Sequence, residues 1–195
     1  MNSRRPVIAA TFSSLRNILL PSADWNVLRR AALLSLAGAL IAGSFGIVHD
    51  QITYTISPEY FTRMKFNQFQ AADFGFPHRV FVAEVGFLAT WWVGLIGAWF
   101  LARIALPKFK SPEKKVMASI LTILGISISF AILGYFLGPD LLGNRPGWRD
   151  ALDSFGVTDS VAFNRVAGIH LGSYIGAFLG WVVMVGCLMK SRGDR

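Results

Sequence analysis

The sequence predicts an all-α integral membrane protein, a four-helix bundle preceded by an amphipathic helix lying on the membrane surface. Three observations predict it. The 195-residue chain is 53% hydrophobic and only 15% charged, with a mean hydropathy of +0.49, too apolar for a water-soluble core of this size. Four apolar runs, about 31–48, 80–102, 116–138 and 166–189, have the roughly 18 to 24 residues needed to cross about 30 Å of hydrocarbon. Between them the charges alternate in sign. Thirteen of the nineteen Lys and Arg residues fall in 1–30, 103–115 and 190–195, and the other six in 49–79 and 139–165. The acids run the other way, with Asp24, Glu113 and Asp194 on the first side against Asp50, Glu59, Asp73, Asp140, Asp150, Asp153 and Asp159 on the second.

By the positive-inside rule both termini are expected in the cytoplasm. The net charge of +8 is then a topological signal facing the lipid bilayer, and no nucleic-acid partner is implied. A lone cysteine, Cys187 in an apolar run, excludes an intramolecular disulfide and thiol-disulfide exchange within the chain. The first apolar run ends in Ala42, Gly43 and Ser44, as a cleaved signal would, but about thirty residues precede it, too many for a signal n-region. The chain reads as one domain, 1–195, without repeats or linkers.

Within residues 1–30, Ile8, Phe12, Leu15 and Leu19 recur at helical spacing beside Arg4, Arg5 and Arg16, which predicts a cytoplasmic amphipathic helix ended by Pro21. Ser22 is then expected to cap the first span. The spans carry small residues at regular intervals: Ser35, Gly38, Ala42 and Gly46; Gly86, Thr90, Gly94 and Ala98; and Gly168, Gly172, Gly176 and Gly180. Such stripes let backbones approach where lipid provides no hydrophobic drive. The last stripe has two readings, a central helix or a contact with a second copy or partner subunit.

Candidate functional residues gather at the extracytoplasmic ends. His49 and Asp50 end the first span, His78 opens the second after Pro77, and His170 lies in the fourth. Glu84, the only acid inside a span, is expected about 7 to 8 Å inside its helix entrance, level with His170. An ionisable group there is costly and calls for a partner. Tyr174 lies one turn below His170 on the same face and is placed to support the cluster. Imidazoles and carboxylates suit zinc, iron or manganese, so His49, Asp50, His78, Glu84 and His170 form a candidate metal-ligand set without any H-x-x-x-H or H-E-x-x-H motif. Ser57, Pro58 and Glu59 read as a helix start, with Glu59 stabilising the helix dipole or supporting the site. In the loop 139–165, Gly138, Pro139, Gly143, Pro146, Gly147 and Gly156 are expected to break helix, with Trp148, Leu152 and Phe155 in the headgroup region or as a lid on the cluster. Arg145, Arg149, Asp150 and Asp153 read as a solvated surface.

The strings GIVHDQIT (46–53), PEYFT (58–62), ATWWVG (89–94) and GIHLGSY (168–174) resemble a family of small four-span bacterial membrane proteins common in Planctomycetes-like genomes. The resemblance implies the same bundle in a bacterial cytoplasmic (inner) membrane and singles out His49, Asp50, Glu59 and His170; it implies no activity. The chain departs from the family pattern in having Ser57, in place of a cysteine, before PEYFT, and Arg63 to Lys65 where a His-Pro pair is expected. Four functions follow from these residues: an outer-face metal site serving a hydrolase or oxidoreductase, a structural or assembly subunit, a transporter or proton-coupled subunit gated by Glu84 and His170, and last a b-type haem between His78 and His170.

Overall fold

The computed structural model describes residues 24–194, and every regular element among them is helical. The expected amphipathic helix and the Ser22 cap lie outside the described residues. Four helices are long and apolar enough to cross a membrane: α1 (Trp25–Ile56), α4 (His78–Ala105), α5 (Pro112–Gly143) and α7 (Ser160–Lys190). At about 1.5 Å per residue the 32 residues of α1 extend about 48 Å, beyond the ~30 Å hydrocarbon thickness, so each helix outruns the apolar run that marks it.

Their ends follow local chemistry. The Asp24 carboxylate accepts from the Asn26 N–H at 2.9 Å and caps α1. Ser57, extended at φ −143° because Pro58 follows, ends it. Pro77 precedes α4, Pro112 occupies the first turn of α5, and the Asp159 carboxylate caps α7 by accepting from Ala162 N–H at 2.9 Å. Pro139 does not break helix as expected: α5 runs through it to Gly143, which neighbouring helices permit in a membrane bundle. The loop beyond also contains a short helix, α6 (Trp148–Ser154), started by Gly147 at φ +77°.

The bundle is built from two tight pairs. In the first, Gly38 of α1 lies against Gly94 and Ala98 of α4, and Gly46 against Gly86 and Thr90. The Thr90 hydroxyl donates across the seam to the Ala42 carbonyl at 2.8 Å. In the second, Gly168 of α7 meets Gly134 of α5, Gly172 meets Phe130, and Gly176 meets Ile126 and Phe130. Ser127 donates to the Ser173 carbonyl at 2.9 Å. The ridge Gly168, Gly172, Gly176, Gly180 is therefore covered by α5 of the same chain, which corrects the reading of it as a surface for a second copy or partner subunit.

Between the pairs lies an apolar cleft of about 610 Å³. One end is closed by a cluster that includes Leu101, Leu106, Phe109, Val116 and Leu188, near the first residues of α1 and the last of α7. The other is closed by Tyr60, Phe61, Leu152, Phe163 and Val166, beneath the two longer connections. Trp148 belongs to this second cluster and donates to Asn164 Oδ1 at 2.8 Å, so the second loop does lid this end.

The glycine seams yield a test. A Cβ at Gly46 or Gly168 would run into the backbone of Gly86 or Gly134, whereas one at Gly125 meets nothing within 4 Å. Gly46→Leu and Gly168→Leu are expected to lose about 1 to 3 kcal/mol or fail to fold, and Gly125→Ala to melt like the parent, in thermal unfolding of detergent-solubilised protein.

Candidate metal centre

Asp50 is the middle of the site. It lies in the last two turns of α1, buried by the lid, and is 4% exposed. Its Oδ1 atom is 3.0 Å from His49 Nδ1 and 3.2 Å from Nε2 of His170, which reaches it from α7. His170 is 3% exposed and its other nitrogen, Nδ1, is 2.9 Å from the Val166 carbonyl one turn earlier. A carbonyl only accepts, so that contact makes Nδ1 the protonated nitrogen. The neutral ring then turns a lone pair toward Asp50 Oδ1, itself an acceptor. Two acceptors at 3.2 Å require a positive charge between them, supplied by a proton or a metal ion.

Other atoms lean the same way. His49 Nε2 and Asp50 Oδ2 are both buried with no hydrogen-bond partner among the described residues. Ligand atoms from His49, Asp50 and His170 all lie within 4.8 Å of one another, close enough to hold one ion. A neutral ring whose second nitrogen is anchored on a backbone carbonyl is the usual orientation of a metal-binding histidine.

The aromatic surroundings fix the rings. Tyr60 stacks on His170 at 4.7 Å between centroids, and His49 meets it edge-on at 4.7 Å. Tyr60 is delivered by the segment after α1: α2 (Pro58–Tyr60), a π-helical turn (Phe61–Lys65) and α3 (Phe66–Gln68). The wider π turn sends both Phe61 and Lys65 inward. Lys65 is buried; burial holds its amine below the usual lysine range, and the charge of Asp50 partly offsets this.

Three expected members stand elsewhere. His78 is exposed at the start of α4, with Nδ1 3.3 Å from the Tyr54 hydroxyl and its ring 5.2 Å from Phe66. It is outside the ligand group, and the His170 Nε2 that a haem would need is turned onto Asp50. Glu84 is also outside the group. Two residues of helix turn a side chain by about 200°, so with Gly86 packed on α1, Glu84 faces away from Asp50. Its Oε2 is buried without a hydrogen-bond partner among the described residues. Tyr174 meets His170 by ring edge, 6.2 Å between centroids, and lines the cleft below it.

Glu59 acts at a distance from the helix it opens. The helix it opens is a single turn, with no side-chain cap from Ser57. Its carboxylate instead accepts from Thr158 N–H at 3.1 Å, Thr158 hydroxyl at 2.7 Å and Asp159 N–H at 2.9 Å. It thus ties the segment bearing Tyr60 to the entrance of α7, which bears His170. Residues missed at the sequence level are Lys65 and Tyr60. Tyr60 stands inside the PEYFT string, but only the π turn aims the lysine inward.

Among known proteins, no family model, curated protein or solved structure matches this chain.

The Glu59 clamp makes a pH prediction. The hydroxyl of Thr158 first, then the Asp159 amide, hold the Glu59 carboxyl below its ordinary range. A depressed carboxylate stabilises the fold above its unfolded pKa and loses that contribution as pH falls through the folded value. Thermal unfolding across that acid range is expected to show the parent converging on Glu59→Gln as pH drops, with the two separated at neutral pH.

Proposed function

We propose that this is a bacterial inner-membrane protein, both termini cytoplasmic, in which His49, Asp50 and His170 hold a divalent transition metal at the extracytoplasmic end of the cleft. The observation that carries the reading is the opposition of two acceptors, His170 Nε2 and Asp50 Oδ1, with His170 Nδ1 already committed to Val166. One proton would relieve that single contact. A metal ion also draws on His49 and gathers three ligands at once. Two imidazoles and one carboxylate suit zinc, iron or manganese and leave coordination positions open. Bound there, such an ion supplies a Lewis acid or an activated water, the equipment of a hydrolase, and in the case of iron or manganese a redox centre.

The chain's own residues do the rest. Val166 sets the tautomer of His170, Tyr60 and His49 fix its ring plane, and the Tyr60, Phe61, Phe163 cluster excludes water from above. Three of the four residues singled out by the family resemblance, His49, Asp50 and His170, are the ligands of this reading, and the fourth, Glu59, braces their support. The alternatives lack an observation of this kind. A transport gate made of Glu84 and His170 loses its motive because Glu84 stands outside the group, and an assembly role through the α7 glycines finds them covered.

Protein purified in detergent and equilibrated with zinc, iron or manganese is expected to retain about one ion per chain by elemental mass spectrometry. Asp50→Asn and His170→Ala are expected to weaken retention at least about tenfold, and His78→Ala to leave it unchanged. Metal below about 0.1 per chain in the parent, under all three loadings, would contradict the reading. For topology, Asp153→Cys in a Cys187→Ser background should react in intact cells with a membrane-impermeant maleimide, whereas Cys187 in the parent should not.

A further inference from the structure

The metal reading uses only the polar end of the cleft between the two helix pairs. The remainder is apolar, and its rim carries exposed side chains such as Trp92, Val93, Ile96 and Phe178, so its mouth is on the bundle surface where lipid stands. Along α1 the lining runs from Gly38 to Asp50. Twelve residues of helix rise about 18 Å, a little over half the ~30 Å hydrocarbon thickness and so about the depth of one leaflet. An apolar space of this kind does not hold water, and in a bilayer the apolar material at hand is hydrocarbon chain.

The polar end has a sign. A divalent ion held by one carboxylate and two neutral imidazoles leaves a net charge of about +1. An uncompensated positive charge at the edge of hydrocarbon favours an anion, and the anions abundant at that depth are lipid phosphates.

We propose that the cleft binds one hydrocarbon chain of an anionic, phosphate-headed membrane lipid, with the phosphate presented to the His49, Asp50, His170 centre. The lipid enters sideways from the outer leaflet, its chain lying between α1/α4 and α5/α7 and its head stopping below the Tyr60 and Phe61 lid. The head assignment rests on the metal reading; the chain assignment rests on the shape and lining of the cleft alone.

The test uses the full chain, loaded with zinc, in nanodiscs of phosphatidylcholine doped with dioleoyl phosphatidic acid, released into native mass spectrometry. One phosphatidic acid per chain is expected to be retained in preference to phosphatidylcholine by at least about tenfold. Ala177→Phe and Ala89→Phe both fill the cleft from different helices, so one serves if the other fails to fold. Either should reduce retention at least about tenfold while zinc content stays at the parental value. Zinc bound with no lipid retained, or retention unaffected by a folded cleft-filling variant, overturns the proposal and leaves the metal reading intact. Retention of phosphatidic acid and phosphatidylcholine alike overturns the anionic-head assignment. Selective, Ala177→Phe-sensitive retention without any zinc supports the cleft and counts against the metal reading instead.

Discussion

The Asp50 carboxylate, shared by an imidazole from its own helix and one from α7, is the contact on which the rest of the arrangement depends. The two tight helix pairs touch each other sparingly, and this is where a buried polar link crosses between them near the longer connections. A bare carboxylate in so dry a place is costly, and the cost is offset only if its partners carry positive charge. His170 cannot supply that charge while neutral, because its donor nitrogen is spent on Val166. The link between the pairs is thus conditional on a positive charge at this contact, carried by a proton or a metal ion.

That joint stands at the end of a space which the glycine seams create. Small residues pull α1 onto α4 and α5 onto α7 so closely that each pair acts as one thick element, and two such elements cannot also mesh along their whole length. Apolar plugs close the two ends, and the gap between them becomes the cleft. The lid above the centre is held by Glu59, whose carboxylate stitches the first loop to the start of α7 and so keeps Tyr60 stacked on the ring that Asp50 needs. Seam, cleft, centre and lid are consequences of a few close contacts.

Much of the fold was legible because the physics of a span is written in consecutive residues. Length and hydropathy mark the four helices, and stripes such as Gly86, Thr90, Gly94 and Ala98 do meet a partner helix. The helix ends were less legible: α1 runs past Val48 to Ile56 because polar residues continue a helix once it has left hydrocarbon, and Pro139 passes within α5 where composition predicts a break. Which helix covers the α7 ridge is a matter of pairing, which spacing along one helix does not encode. At the site, the grouping of His49, Asp50 and His170 was legible from their place at one end of the spans. Glu84 was misplaced because depth was considered without rotation, and the 200° between it and Gly86 decides its direction. His78 was misplaced for a similar reason, since it stands at the mouth of α4 against Tyr54 and Phe66. Lys65 escaped notice because its inward aim depends on a π turn, for which no residue pattern gives warning.

The central claim, that a cation sits between His170 Nε2 and Asp50 Oδ1 and gathers His49 with them, is tested most directly by an experimental structure of the zinc-equilibrated protein, with anomalous scattering recorded at the zinc edge. A peak about 2.0 to 2.2 Å from nitrogens of His49 and His170 and an oxygen of Asp50 is the predicted result. A map without zinc at this position, with the His170 and Asp50 atoms still in direct hydrogen-bond contact, would contradict it and leave a proton as the shared charge.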